Sequence, residues 1–171
     1  MFLIFGVFCF YSIKTRFNRK ILLLILSLFF YSLWRWEFSF LMLFSAFLDY
    51  FLANKISASK NKKINKIYLL ISLSINLGLL LFFKYTYFFV DNFNFIASWL
   101  SFSSINLSFK IILPLGISFY TFQTISYTID VYRGVNRPIN NIISYLIYVT
   151  FWPQLIAGPI LRVSEVLPQL E

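Results

Sequence analysis

The amino-acid sequence predicts an all-α, polytopic integral membrane protein of about six transmembrane or re-entrant helices. Three observations carry that expectation. Hydrophobic residues fill 60% of the 171 positions and charged residues only 12%, where a soluble domain has about 25% charged residues. The mean hydropathy is +0.77, so water offers too little polar surface to cover such a chain. The charges that are present gather in short clusters, and the runs between them approach the roughly 20 apolar residues that a membrane-spanning helix needs.

Because these runs are apolar on every side, helical periodicity says little, and the spans are marked by where the charges stop and resume. They cover residues 2–13, 21–34, 38–53, 67–90, 111–129 and 142–160. The first three are short against the usual minimum of about 17 residues. The first begins at the initiating Met1, so the true first helix is expected to start upstream. The others can extend into flanking residues such as Arg35, whose long stem reaches the headgroups. No repeat, Gly/Ser linker or low-complexity tract divides the chain, so residues 1–171 are expected to form one membrane domain.

A secretory signal peptide would need basic residues before the first apolar run and a small-residue cleavage site after it. Here Lys14, Arg16, Arg19 and Lys20 follow the run instead. Counting spans, the cluster Lys55, Lys60, Lys62, Lys63 and Lys66 falls on the same side as that first group, as do Arg133 and Arg137. Eleven of the fifteen basic residues therefore share one face. The opposite loops keep Arg35, Lys84, Lys110 and Arg162. The positive-inside rule then places the N-terminus outside and residues 14–20, 54–66 and 130–138 in the cytoplasm.

The formal charge of +9 does not point to nucleic acid, because the basic residues sit in loops beside apolar spans and not on an amphipathic, aromatic-interleaved face. The single cysteine, Cys9, lies inside the first run and reads as a buried thiol. Residues 91–110 are rich in Asn, Ser and aromatics, including Phe93, Phe95, Trp99 and Phe102. They form either a helix lying in the outer interface or a plain connecting loop.

Ionisable groups at membrane depth are costly, by about 2.5 to 3.5 kcal/mol on insertion scales, and each is a candidate functional position. Asp49 is the deepest. It either pairs with a lysine of the following loop or serves catalysis or proton transfer. Lys84 can reach the outer interface by snorkelling. No metal-ligand cluster is present in the sequence.

The last third is the most informative. Ser118, Thr121, Gln123, Thr124, Ser126 and Thr128 interrupt an apolar run, so part of this surface must face protein or a wet cavity, lipid alone leaving Gln123 unsatisfied. Pro114 suits a first helical turn, Gly116 allows close backbone approach, and Gly134 can stop the helix. Asp130 and Arg133 are spaced to pair on one helix face. Farther on, Pro153, Gly158 and Pro159 break the run from Phe151 to Arg162. Broken backbone at this depth needs protein or a water-filled cavity around it, so residues 153–162 read as a pocket wall. An ordinary helix end punctuated by proline is the other reading.

The stretch Leu113-Pro114-Leu115-Gly116-Ile117-Ser118-Phe119-Tyr120-Thr121-Phe122-Gln123, followed by Pro153-Gln154-Leu155-Ile156-Ala157-Gly158-Pro159-Ile160, resembles the membrane-bound O-acyltransferase family in its alginate O-acetyltransferase-like branch. Residues 29–34, Asp49-Tyr50 and residues 76–85 resemble the same branch in the same order. The resemblance implies a partial version of that multi-helix fold in a bacterial inner membrane, with a tunnel. Tyr120, Gln123, Pro153, Gln154, Gly158, Pro159 and Arg162 would be its wall here, and Asp49, Asp130 and Arg133 structural charges. It further implies an acyl donor from the cytoplasmic side, acetyl-CoA or an acyl carrier. The acceptor would be a hydroxyl of an exported glycan such as alginate, with a periplasmic or extracellular acetyltransferase as a partner.

The family's chemistry rests on a histidine well downstream of the Ala-Gly-Pro segment, acting as general base. This chain has no histidine. Nor does a Ser-His-Asp set or a Gly-rich phosphate loop replace it. The expectation is the N-terminal part of an O-acyltransferase, inactive by itself. A non-enzymatic membrane protein, either a transporter subunit or a truncated relative that binds a partner, is the alternative that composition leaves open.

Overall fold

The computed structural model describes residues 2–100, 102–158 and 161–170, leaving aside the side chains of residues 2–5, 156, 157, 167 and 170. Every regular element among them is helical. In chain order these are α1 (Phe2–Ser12), α2 (Arg16–Ser32), α3 (Trp36–Ala58), α4 (Lys62–Leu80), a π-helical turn (Leu81–Tyr85), α5 (Thr86–Trp99), α6 (Ile117–Tyr132), α7 (Ile142–Thr150), α8 (Trp152–Ala157) and α9 (Val163–Leu170).

Two helices among the described residues are long and apolar enough to cross a membrane, Trp36–Ala58 and the continuous Lys62–Trp99. The second runs farther than the expected span of residues 67–90. At 1.5 Å per residue its 38 residues reach about 57 Å, nearly twice a hydrocarbon core of about 30 Å. The expected connection at 91–110 is therefore helix as far as Trp99 and irregular chain beyond. That irregular chain folds back along α5. Asn94 pairs with the Ile105 backbone in both directions, accepting from its N–H at 2.7 Å and donating to its C=O at 2.9 Å. The Tyr87 hydroxyl accepts the Ile111 N–H at 2.8 Å.

Polar side chains begin the helices that follow loops. Asn61 Oδ1 accepts from the Lys63 N–H at 3.0 Å and Asn141 Oδ1 from the Ile143 N–H at 2.9 Å, the usual N-cap arrangement. Helix α6 starts later than the expected span of 111–129. Gly116, at φ 66°, is its N-cap, and Pro114 lies before the first turn and not within it. At the other end Gly134 is left-handed at φ 72°. Its N–H bonds the Val131 carbonyl and that of Val135 the Asp130 carbonyl, a Schellman stop. The expected Asp130–Arg133 pair does not form: Asp130 Oδ2 instead accepts from Asn136 at 3.3 Å. Arg133, as the C-cap, is exposed.

Helix α6 is central. It packs against α3, α4 and α7, and nine of its sixteen residues are buried. Helix α3 offers it a stripe of small and polar residues, Ser45, Ala46, Asp49 and Ala53, which lets the backbones approach closely. Phe40, Phe44, Phe47 and Phe51 on the outer side of α3 are exposed, as suits a helix whose solvent is lipid.

The run at 142–160 does not form one straight helix. Helix α7 travels antiparallel to α6, with the Tyr127 and Tyr145 rings 4.8 Å apart and Gln123 at the level of Tyr148. Helix α8 carries Leu155 beside Gly116. The chain then returns. The Tyr148 hydroxyl donates to the Leu161 carbonyl at 3.0 Å, and α9 packs on α7. Val163 and Ser164 share a cavity with Lys20, Arg137 and Asn141. Segment α7–α8 thus belongs to a hairpin within the bundle, and Arg162 lies at the same end as Lys20 and Arg137, not the opposite one. The physical reason is the break at Phe151 (φ −56°, ψ 104°) together with the close return at Gly158.

Candidate functional site

The hairpin is held against α6 by a chain of amides. Phe151 ends α7 in a non-helical conformation, so the last carbonyls of that helix lack intrahelical partners. The Phe151 N–H takes that of Ile147. The Tyr148 carbonyl is taken by Gln123, whose Nε2 donates at 2.6 Å, and Gln123 Oε1 in turn accepts from Gln154 Nε2 at 3.3 Å. Gln123 is buried and Gln154 half-buried. An unpaired amide here would cost about 1 to 3 kcal/mol, which is why a glutamine in this apolar helix needs the broken backbone opposite it.

Two glycines make the fit possible. A Cβ on Gly116 would stand 3.1 Å from the Leu155 carbonyl oxygen, at a φ that side chains rarely adopt. A Cβ on Gly158 would stand 2.7 Å from Gln154 Cα. The first glycine brings α8 against the start of α6, and the second turns the chain back over Gln154. Both belong to the sequence stretches singled out above.

Of the expected wall residues, Gln123, Gln154 and Gly158 come together at this point. Tyr120 is buried on α6 beside Tyr31, whose hydroxyl donates to the Leu115 carbonyl at 2.8 Å. Pro153 lines an apolar cavity of about 380 Å³ between α1, α2 and the hairpin, with Gly6, Phe10, Leu26 and Trp152. Pro159 lies outside the described residues. Arg162 is exposed, its backbone N–H donating to Glu165 Oε2 at 3.3 Å. Tyr148 was not legible as a site residue, yet it fastens the hairpin twice, through its carbonyl and its hydroxyl. The signal was available in the i, i+3 pair of tyrosines, Tyr145 and Tyr148, on a largely apolar helix.

Asp49 is 0% exposed and does not pair with a lysine. Its Oδ1 accepts from Ser72 Oγ at 2.5 Å and its Oδ2 from Asn76 Nδ2 at 2.9 Å. Asn76 Nδ2 also donates to the Ser72 carbonyl at 2.9 Å, and its Oδ1 accepts from Ser45. The carboxyl sits on the inward stripe of α3, two turns from the helix end, while Lys55, Lys60, Lys62, Lys63 and Lys66 lie out of the buried core. Hydrogen bonds from α4, not an ion pair, make up for its burial. Chemically the amide chain can orient and bind but cannot carry a proton, and Asp49 is enclosed by packed helices.

The site is the junction of a polar central helix and a broken hairpin in an all-helical, strongly apolar protein. Its relatives narrow the class. The chain is 37% identical over 183 residues to the peptidoglycan O-acetyltransferase of Helicobacter pylori, covering 92% of the chain and 34% of that protein. It is 37% identical over 171 residues to the probable alginate O-acetylase AlgI of Pseudomonas aeruginosa, covering 99% of the chain and 33% of the relative. With AlgI of Pseudomonas putida the identity is 36% over 161 residues, 93% of the chain and 33% of the relative. The chain belongs to this membrane-bound O-acyltransferase-type family, in the branch of the alginate O-acetylases, and spans about a third of the length of these relatives. No family model and no solved structure matches it.

Proposed function

We propose that the chain forms part of an O-acyltransferase that moves acetyl groups onto hydroxyls of an exported polysaccharide, and that α6 with the α7–α8 hairpin is part of the tunnel wall. The observation that carries this reading is the similarity to named O-acetylases over nearly the whole chain. The residues of the two quoted stretches are also those that meet in the hairpin. A donor such as acetyl-CoA or an acyl carrier would supply the acetyl group from the cytoplasm. The acceptor glycan, and a periplasmic or extracellular acetyltransferase working with it, would lie beyond the membrane.

In this reading α1, α2, α3, α4–α5 and α6 cross the bacterial inner membrane with the N-terminus outside, and the hairpin enters and leaves on the cytoplasmic side. Arg162 then joins the other eleven cytoplasmic basic residues, which strengthens the positive-inside pattern. General-base activation of a hydroxyl contributes about 10² to 10⁴ in rate and works best with a pKa near the operating pH. The chain has no histidine, the side chain that offers this unperturbed. Residues 1–171 alone are therefore expected to transfer no acetyl group above background. The test is acetate incorporation into polysaccharide by cells carrying residues 1–171, set beside cells carrying a relative of full length. Equal incorporation by both would overturn the dependence on a downstream base.

A further inference from the structure

Two adjoining cavities lie at the basic end of the bundle, of about 470 Å³ and 320 Å³, and both are lined by Lys20 and Pro168. Asn136, Arg137, Asn140, Asn141, Ser144 and Ser164 complete the polar wall of the larger one. The smaller adds Arg16, Arg19, Phe10 and Leu23. Four cations thus converge from α2 and the α6–α7 loop. No carboxylate is among the described residues that line either cavity. The nearest acids in sequence are Asp130, which accepts from Asn136 of the larger cavity's wall, and Glu165, which accepts from the Arg162 backbone.

The cations are also held in place. Lys20 Nζ donates to Ser144 Oγ at 3.1 Å, at the first turn of α7. Arg19 Nε donates to the Ile13 carbonyl at 2.7 Å and its guanidinium lies 5.1 Å over the Phe10 ring. Asn141 Oδ1 is occupied by capping α7, which leaves that side chain its amide donors. Lys20 and Arg19 are half-buried, and neither they nor Arg137 forms an ion pair among the described residues. Concentrated positive charge in a concave, partly desolvated site attracts an anion. A cleft offering several charge-assisted donors matches a phosphate group.

We propose that this double cavity is a phosphate-binding site centred on Lys20 and Arg137. Two sources present that chemistry: the phosphodiester of an anionic lipid headgroup, with its chain along Phe10 and Leu23, or a soluble phosphate ester. The proposal stands apart from acetyl transfer, and its test contains no acetyl group. Basic pockets between membrane helices at the cytoplasmic side are a recognised way of holding lipid headgroups.

The test places a single cysteine at the exposed Ser164 (Ser164→Cys with Cys9→Ser) in the 171-residue chain, and follows its alkylation by an uncharged maleimide in zwitterionic micelles. The probes are inorganic pyrophosphate and, separately, phosphatidylglycerol added to the micelles. Saturable protection by pyrophosphate identifies a soluble phosphate site, and protection by phosphatidylglycerol alone identifies a headgroup site. Lys20→Gln and Arg137→Gln should each raise the half-protecting concentration by about tenfold, the value of one charge-assisted hydrogen bond. Arg137→Lys should retain most of the protection, and Lys60→Gln should change nothing. A second reporter, Asn61→Cys in the same background, should show no protection and an unchanged rate, confirming an intact fold. No protection of Cys at 164 by either probe, or equal weakening by Lys60→Gln and Lys20→Gln, overturns the proposal.

Discussion

Exchanging Asp49 and Asn76 tests whether the buried carboxyl is held by a matched set of donors. In Asp49→Asn the new carbonyl still accepts from Ser72, and reversing the Asn76 amide restores its contact at the loss of the bond to the Ser72 carbonyl. One neutral hydrogen bond is worth about 0.5 to 1.5 kcal/mol, so a loss of about 1 kcal/mol is expected. In Asn76→Asp two carboxyl groups face each other where one took two donors. They cannot both ionise, and the loss rises to about 3 kcal/mol, the upper end for a buried charged group left without its partner. In the exchange, Asn at 49 donates to Asp at 76, Ser45 donates to that carboxylate, and Ser72 donates to the carbonyl at 49. Only the bond to the Ser72 carbonyl is missing. The double variant should therefore cost about 1 kcal/mol, against about 4 kcal/mol by addition, a coupling near the upper end of that seen for residues in contact. The assay is unfolding by SDS in mixed micelles, followed by far-UV circular dichroism for the four members of the cycle. A double variant that loses as much as the sum of the two singles would refute the network as drawn.

Three further outcomes are expected. Gln123→Leu, which removes two side-chain hydrogen bonds, should cost about 1 to 2 kcal/mol in the same assay and speed hydrogen exchange over residues 148–158. Gly158→Ala should destabilise by more than Gly78→Ala, since its Cβ meets Gln154 at 2.7 Å whereas nothing lies within 4 Å of the other. Gly78, inside α4, should gain roughly 0.5 to 1 kcal/mol as alanine, and the order of the two in thermal scans checks the hairpin's return. In intact cells, an impermeant thiol reagent should leave cysteines at Asn61 and Ser164 equally unlabelled in a Cys9→Ser background. Labelling at 164 alone would restore a sixth crossing.

The charge clusters made much of the bundle legible. They separated α2, α3 and the long helix beginning at Lys62, and Gly134 marked the end of α6. Gln123 announced that its face needed a polar partner. What stayed hidden depends on register between helices. Asp49 pairs with Ser72 and Asn76 because the inward stripe of α3 meets the matching i, i+4 positions of α4. Nothing in the sequence of either helix alone fixes that rotation, whereas the lysines nearby offered a pairing along the chain. The hairpin stayed hidden for a related reason. A run with two prolines and a glycine reads the same whether it leaves the membrane or turns back, until Tyr148 is seen to hold Leu161.

That fastening explains how a hairpin as short as α7–α8 holds its shape. Nine residues of α7 make few intrahelical bonds, and an isolated helix of that length is marginal. Tertiary contacts carry it instead. Ser144 through Thr150 are all buried, Tyr127 reaches across to accept the Ile139 N–H at 3.1 Å, and Lys20 and Gln123 pin its two ends. The same bonds set the depth of the break. With Ser144 held at the basic end and Tyr148 at the level of Gln123, Phe151 and Trp152 must fall in the middle of the bundle, where Trp152 packs on Phe30 at 5.2 Å. A longer α7 would carry Pro153 past Gly116, and a shorter one would leave Gln123 without its carbonyl. The spacing of Asn141, Tyr148 and Gly158 is therefore what fixes where the irregular backbone falls against α6, and insertions in this segment should be tolerated less well than in the loop at 102–110.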